Sequence, residues 1–378
     1  MSFSPTSLLS CTISGTILIL LACLALENDN VLKFSGRYSS IFLAVIAVRM
    51  AVPAEFGFTV TLISKRLLTG LRNFMVGEVG LFGHKSPVWQ VLLAFWVAGA
   101  VGRLLILLLE YIRFSGILRR CPRYQKHDCE DAVRRINKEY GKDGKFEVRF
   151  VPSVQAPAIF GLVRPVILMP ETDYTEEEFT YILKHEMMHY YHYDMLIKVF
   201  CEVFCTIYWW NPAVYLLKSL VGSVMEINVD CSLTSSFNEK EKISYLECIV
   251  KSMKAERGKK GADLLITFVP RKNSVMKQRF RCIWGNCWKS EKWKGAVVTL
   301  CSFLLYAISV SIVVEPYYDY ELPKTFVCPD PETSFLVEKD GYYEFYLDGD
   351  YYGEMMEITE PVLELKVYKN LEEVRNEK

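Results

Sequence analysis

Apolar residues run almost unbroken through four stretches of this chain: 8–26 (LLSCTISGTILILLACLAL), 39–58 (SSIFLAVIAVRMAVPAEFGF), 88–112 (VWQVLLAFWVAGAVGRLLILLLEYI) and 295–314 (GAVVTLCSFLLYAISVSIVV). A bilayer core takes about 20 apolar residues of helix, so each stretch predicts a transmembrane span. The first has neither a basic leader nor a small-x-small cleavage site, which favours a span over a signal peptide.

Between the third and fourth stretches the pattern takes the periods of a folded domain. Residues 129–141 (CEDAVRRINKEYG) place Ala132, Val133, Ile136 and Tyr140 at helical spacing, with Gly141 as the stop. KFEVRFVPS (145–153) alternates and predicts a strand, and APAIFGLVRPVILMP (156–170) predicts two short strands around a turn at Gly161. In DYTEEEFTYILKHEMMHYYHYD (173–194), Thr175 and Glu178 match a capping box, and the acidic first turn suits a helix N-terminus. Residues 195–234 are strongly apolar but are interrupted by Lys198, Glu202 and Lys218 and broken at Asn211-Pro212. They predict two helices with a corner, packed on the core or the membrane face, in preference to a fifth and sixth span. After residue 314 the chain turns acidic and tyrosine-rich, and two Asp-Gly turns between alternating segments predict a small meander of strands.

Lysine and arginine set the orientation. RFSGILRRCPRYQK follows the third span and KSEKWK precedes the fourth, so residues 113–294 are expected in the cytoplasm and residues 315–378 outside. The early loops run against this: Lys65, Arg66, Arg72 and Lys85 fall on the expected outer side, while the inner turn at 27–38 carries only Lys33 and Arg37. The formal charge of zero gives no general pull toward nucleic acid. Of the 12 cysteines, Cys11, Cys23 and Cys301 lie in spans, and Cys328 has no partner in the expected outer tail, so the set reads as reduced thiols. Cys282 and Cys287, a lone pair, make a poor metal site. Arg49, Glu55, Arg103 and Glu110 lie in or near spans, where ionisable residues are functional candidates by default. Trp209-Trp210 suits an interfacial anchor or core.

The chain has only 5 histidines, and three of them, His185, His189 and His192, fall in ILKHEMMHYYHYD (182–194). His185 and His189 are one helical turn apart on the same face, so two imidazoles can reach one metal ion, with Glu186 beside them to take a proton from bound water. Zinc needs a third protein ligand and keeps a fourth position for water. His192 lies one turn further on, and its ring would point away. Glu226 and Asp230, one turn apart on a later helix, are the better source: Glu226 as the ligand, and Asp230 bracing a histidine from behind. Asp194 either orients the metal helix or caps its end.

With these residues in view, the chain resembles the BlaR/MecR family of bacterial membrane metallopeptidases, the beta-lactam sensor and antirepressor group. The resemblance covers residues 8–315. It rests on APAIFGLVRPVILMP, LKHEMMHYYHYD ending at Asp194, WWNPAVYLL, EINVDC, VRMAVPAEFGFTVT and the order of the spans. It implies an α+β fold: a polytopic membrane protein with four transmembrane helices and a cytoplasmic gluzincin-like zinc metallopeptidase domain, plus a small β-rich tail. It also implies His185, His189 and Glu226 as Zn2+ ligands and Glu186 as catalytic base. Substrate would lie extended along an edge strand supplied by FGLVRPVILMP.

The implied setting is the bacterial plasma membrane. There an external event releases cleavage of a cytoplasmic protein, such as a DNA-binding repressor, or of the chain itself. Lipid is the expected environment, a second copy in a homodimer is a candidate partner, and no direct nucleic-acid contact is expected. The alternative is a non-enzymatic receptor with a structural zinc site. The departure lies after the fourth span, where 64 residues carry no S-x-x-K nucleophile, so beta-lactam acylation is not the expected input. Those residues hold 17 acidic and 6 basic side chains, a net −11 that could attract a cationic molecule.

Overall fold

The computed structural model describes residues 5–27, 36–53, 59–64, 66–81, 84–258, 273–285, 292–316 and most of 329–374. It divides into two units, Met1–Tyr317 and Tyr318–Lys378. The first unit runs α1 (Pro5–Glu27), α2 (Gly36–Ala51), β1 (Val60–Ser64), α3 (Leu67–Val76), β2 (Glu78–Leu81), β3 (His84–Pro87) and α4 (Val88–Arg120). It continues through α5 (Cys129–Tyr140), β4 (Glu147–Phe150), β5 (Ala158–Phe160), β6 (Val166–Met169), α6 (Glu176–Tyr191), α7 (Asp194–Ile207) and α8 (Pro212–Thr234). It ends with α9 (Glu239–Gly258), α10 (Asn273–Trp284), α11 (Lys292–Ser311) and β7 (Ile312–Pro316).

Among the described residues, α1 and α4 contain segments long and apolar enough to cross a bilayer, and α2 and α11 carry shorter apolar segments. The expected second span therefore stops at Ala51, short of residue 58. Pro53 cannot donate a backbone hydrogen bond and disfavours helix at Val52, whose N–H closes the last turn on the Val48 carbonyl. The expected fourth span loses residues 312–314 to β7, which pairs in parallel with β1 from Val60↔Ile312 to Ser64↔Pro316. The third span is longer than expected, since α4 continues to Arg120. Glu55, Cys287, Cys328 and most of the turn at 27–38 lie outside the described residues.

Helices α7 and α8 form a hairpin that packs among the apolar helices. Cys205, Ala213, Val214, Leu217 and Val224 share one buried core with Leu18, Ile19 and Ala22 of α1 and Leu43, Ile46 and Met50 of α2. The corner is tied by polar contacts that reach the middle of α1, the end of α2 and the N-terminal third of α4. Asn211 Nδ2 donates to Thr16 Oγ1 at 2.9 Å, and Tyr208 Oη donates to the Met50 carbonyl at 2.8 Å. Trp96 Nε1 donates to the Ile207 carbonyl at 2.8 Å, and Trp209 Nε1 to the Trp96 carbonyl at 3.1 Å. Trp209 lies so close to Gly99 that a Cβ there would meet its ring at 2.3 Å, so this crossing requires glycine. Glu202 of α7 pairs with Arg103 of α4 at 3.1 Å and with Lys218 of α8. Arg49 donates to Ser309 of α11 through Oγ and the carbonyl, both at 3.1 Å. The two arginines inside apolar helices thus serve helix contacts.

Helices α5 and α6 and a small sheet form a second core, in which Ile136 of α5, Val148, Ile159, Ile167 and Met169 of the sheet, and Phe179, Leu183 and Met187 of α6 are buried together. Gly141 ends α5 with φ 61°, as its position after the last apolar residue predicts. The sheet order is β4-β6-β5, with β6 parallel to β4 and antiparallel to β5. Gly161 makes the turn after β5 at φ 103°. The central position of β6 corrects one expectation. The strand within FGLVRPVILMP is chiefly β6, which is paired on both sides, and the open edge on this side of the sheet is β5 at Ala158–Phe160, of which that segment supplies only Phe160.

The second unit is a four-stranded sheet in the order β10-β9-β8-β11, with β8 (Phe335–Lys339), β9 (Tyr342–Leu347), β10 (Asp350–Met355) and β11 (Lys366–Tyr368). The first three strands form the expected antiparallel meander, and β11 adds in parallel to β8. Asp348 and Gly349 both take positive φ, at 52° and 91°, as a tight hairpin turn requires.

Candidate metal centre

The capping box starts α6 as the sequence implies. The Glu178 N–H donates to Thr175 Oγ1, and the Thr175 N–H donates to a Glu178 carboxylate oxygen. Two turns on, His185 and His189 point the same way, with their Nε2 atoms 3.1 Å apart. Helix α8 brings Glu226 to face them, with Oε2 3.5 Å from His185 Nε2 and Oε1 3.4 Å from His189 Nε2. The three residues offer ligand atoms within 4.8 Å of one another, the one such group of His, Cys, Asp and Glu among the described residues.

Both Nδ1 atoms are tied from behind. His189 Nδ1 lies 2.6 Å from Asp194 Oδ2, and His185 Nδ1 lies 2.8 Å from Tyr245 Oη of α9. Tyr245 Oη in turn donates to Asp230 Oδ1 at 2.7 Å, and Asp230 Oδ1 is 3.4 Å from His185 Nδ1. Asp230 therefore reaches His185 chiefly through Tyr245, where the sequence suggested direct bracing. Asp194, which the sequence left open between two roles, holds the His189 ring directly. Glu186 is buried on α6 and makes no ion pair with any described residue. His192 caps the C-terminus of α6 and lies outside the three-residue group.

Two further residues complete the cluster, and sequence spacing gave no sign of them. One is Tyr245. The other is Arg279 of α10, whose Nε and Nη2 donate to Asp230 Oδ2 and Oδ1 at 2.6 and 2.9 Å, and whose Nη1 lies 3.2 Å from Glu226 Oε2. Arg279 follows Asp230 by 49 residues. It sits in a generally basic helix, so only the tertiary fold distinguishes it from its neighbours.

The electrostatics favour a bound cation. Burial pulls the His189 imidazole toward its neutral form, but Glu226 and Asp194 overcome this and push its pKa up to about 10. Burial also opposes the Glu226 carboxylate, yet Arg279 and His189 hold it well below the usual carboxylate range. Burial and the neighbouring Asp230 raise the Tyr245 hydroxyl well above its ordinary value, so it stays a donor.

The donor set and spacing suit zinc. Two nitrogen ligands at about 2.0–2.1 Å and an oxygen at about 2.0–2.2 Å, at tetrahedral angles, would lie about 3.4 Å from one another, close to the separations here. The ties at both Nδ1 atoms leave both Nε2 atoms facing the centre, the arrangement in which metal-bound histidines are held by carboxylates or other outer partners.

A family model described as BlaR1 peptidase M56 matches residues 80–283, a span that holds α4, the sheet and every residue of this cluster. The chain belongs to that family, which marks it as a metallopeptidase relative of BlaR/MecR type. It is 26% identical over 160 residues to the regulatory protein BlaR1 of Bacillus licheniformis, covering 42% of this chain and 27% of that protein. It is 24% identical over 174 residues to the methicillin resistance mecR1 protein of Staphylococcus aureus (strain Mu50 / ATCC 700699), covering 44% and 29%. With the BlaR1 regulatory protein of Staphylococcus aureus it shares 23% over 150 residues, covering 38% and 25%. The matched segment thus spans between a quarter and three-tenths of the length of these relatives.

Proposed function

We propose that this chain is a membrane-embedded, zinc-dependent endopeptidase of gluzincin type that transduces a signal across the bacterial plasma membrane. The observation that carries this reading is the convergence of His185, His189 and Glu226, with Glu186 buried next to His185 in the chain on the same helix. In this reading His185, His189 and Glu226 hold the metal, while Asp194, Asp230 and Tyr245 fix the ligand orientations. Bound zinc would supply a Lewis acid for the scissile carbonyl and lower the pKa of water at its open position. Glu186 takes the proton from the attacking water and passes it to the leaving amine. The edge of β5 pairs with an extended substrate backbone.

The proposed topology has four spans, with residues 113–294 on the cytoplasmic side and 315–378 outside. The parallel pairing of β1 with β7 supports it, because it brings the chain following α2 and the chain following α11 to one side. The basic run from Arg113 to Lys126 supports a cytoplasmic start to the peptidase domain. The α7–α8 corner, hydrogen-bonded to Thr16, Met50 and Trp96, is read as a re-entrant hairpin at the depth of the spans. That hairpin would set the metal centre at the inner membrane surface. The substrate is a cytoplasmic regulator, such as a repressor, or the chain itself.

The test compares new protein N-termini in cells expressing the parent chain or Glu186→Gln at equal levels. A cytoplasmic regulator, or this chain, cut only with the parent is the expected result. Identical sets under several envelope stresses would sink the protease reading and leave a receptor with a structural zinc.

A further inference from the structure

Arg279 stands in an unusual relation to the cluster. Its side chain is 14% exposed, and its three guanidinium nitrogens are spent on two carboxylates one turn apart on α8. The planar fork takes both oxygens of Asp230 and still reaches Glu226 Oε2 at 3.2 Å. Glu226 is the least buried of the three candidate ligands, with 24% of its side chain exposed against 12% for His185 and 4% for His189. Unlike the two imidazoles, it has no Asp or Tyr acceptor behind it. A glutamate side chain so placed can swing to solvent or turn both oxygens toward a metal. The Nη1 contact opposes both motions: it holds Oε2 while Oε1 faces His189 Nε2.

We propose that Arg279 is the positioning residue for Glu226: it fixes the carboxylate so that one oxygen serves as ligand, and it withdraws part of its negative charge. This rests on the reading of the cluster as a zinc centre. A ligand carboxylate shared with a guanidinium donates less charge, so the metal site stays more electrophilic. Lysine cannot do this work, because a compact ammonium cannot bridge both carboxylates as the fork does.

The experiment uses the full chain in detergent, with Zn2+ and Co2+ as the probes. Arg279→Lys keeps a cation beside Asp230. The double variant Asp230→Asn/Arg279→Gln removes both members of the buried pair, so neither charge is stranded. Both should melt close to the parent. Both should bind zinc about 10–100-fold more weakly in competition with a chelator. Both should shift the visible absorption of the cobalt form, which reports ligand geometry and is indifferent to overall stability. Asp230→Asn alone should shift that spectrum less than the double variant. If both variants keep the zinc affinity and cobalt spectrum of the parent, Arg279 is only a structural partner of Asp230 and the proposal fails. A parent that binds neither metal overturns the proposal together with the zinc reading. A parent that binds zinc tightly while Glu186→Gln leaves the cellular cleavage pattern unchanged sinks the protease alone, and the metal measurements still decide the role of Arg279.

Discussion

Asp194 Oδ2 lies 2.6 Å from Nδ1 of His189, the residue five positions before it, and both side chains are buried. A continuous helix would not bring positions five apart together so closely. The chain turns between α6 and α7 at Tyr193, and this folds Asp194 back onto the histidine. The contact ties Nδ1, so Nε2 is the nitrogen that faces Glu226 and that would bind the proposed metal. Asp194→Ala should therefore weaken zinc binding about 10–100-fold. Asp194→Asn keeps an acceptor but loses the charge, and should fall between alanine and the parent. Chelator competition on the purified chain measures both, and equal affinities for all three would contradict the role.

The turn itself carries strain. Tyr193 sits at φ 60° with its side chain largely exposed, a conformation that costs a non-glycine residue about 1–2 kcal/mol. Glycine adopts it freely, whereas a β-branched residue resists it most. Tyr193→Gly should melt no lower than the parent, and Tyr193→Val should lose about 1–2 kcal/mol with a matching loss of zinc affinity as Asp194 drifts. A valine variant as stable as the glycine one would show that the turn is not what holds Asp194.

Glu202 holds two cations in apolar surroundings, Arg103 of α4 and Lys218 of α8, while Arg103 also lies over the Tyr215 ring at 5.1 Å. Removing the shared anion takes the buried counter-charge from both cations. Removing Arg103 leaves Lys218 to balance Glu202. Breaking a buried pair costs about 3–5 kcal/mol, and replacing all members with apolar residues often costs little. Thermal melts in detergent should therefore rank Glu202→Gln as the most damaging change, Arg103→Met as milder, and the triple variant Arg103→Met/Glu202→Leu/Lys218→Met as near the parent. Equal losses for the two single variants would mean that the three charges do not act as one cluster.

Much of the site was legible from spacing because its chemistry lies on helices, where period alone decides which side chains share a face. His185 with His189 is such a pair, and so is Glu226 with Asp230. The capping box at Thr175 and the stops at Gly141 and Asn211-Pro212 were legible for the same local reason. Tyr245 and Arg279 were not. They come from separate helices, α9 and α10, and reach the cluster through tertiary packing that no sequence interval encodes. The span ends failed differently. Hydropathy counts apolar residues but does not register that Pro53 stops α2, or that Ile312–Val314 gain more from pairing with β1 than from a further helical turn. FGLVRPVILMP was expected to supply the edge, but its main strand, β6, is central and only Phe160 lies in the edge strand β5, because strand order within a sheet is not written in any one strand.

If the cluster binds zinc as proposed, metal and proton compete for His189, which makes the site's pH response predictable in sign. Burial alone would lower this histidine's pKa, but the carboxylates of Glu226 and Asp194 push it from the ordinary 6.5 up to about 10. In the metal-free chain it is therefore charged near neutral pH, and the charge stabilises the fold. Because the folded-state value is the raised one, that stabilisation is complete below about pH 6.5 and fades as pH climbs toward about 10. The metal-free chain should lose thermal stability across that window. The zinc-bound chain should not show this loss, since the metal replaces the proton between the same groups. Zinc binding near neutral pH must then expel about one proton from His189 and tighten up to tenfold per pH unit until the histidine is deprotonated. Calorimetric titrations in buffers of different ionisation enthalpy measure that proton directly. A binding enthalpy independent of the buffer would mean that the imidazole is already neutral. The cluster of Glu226, Asp194 and His189 would then not be balanced around a missing positive charge.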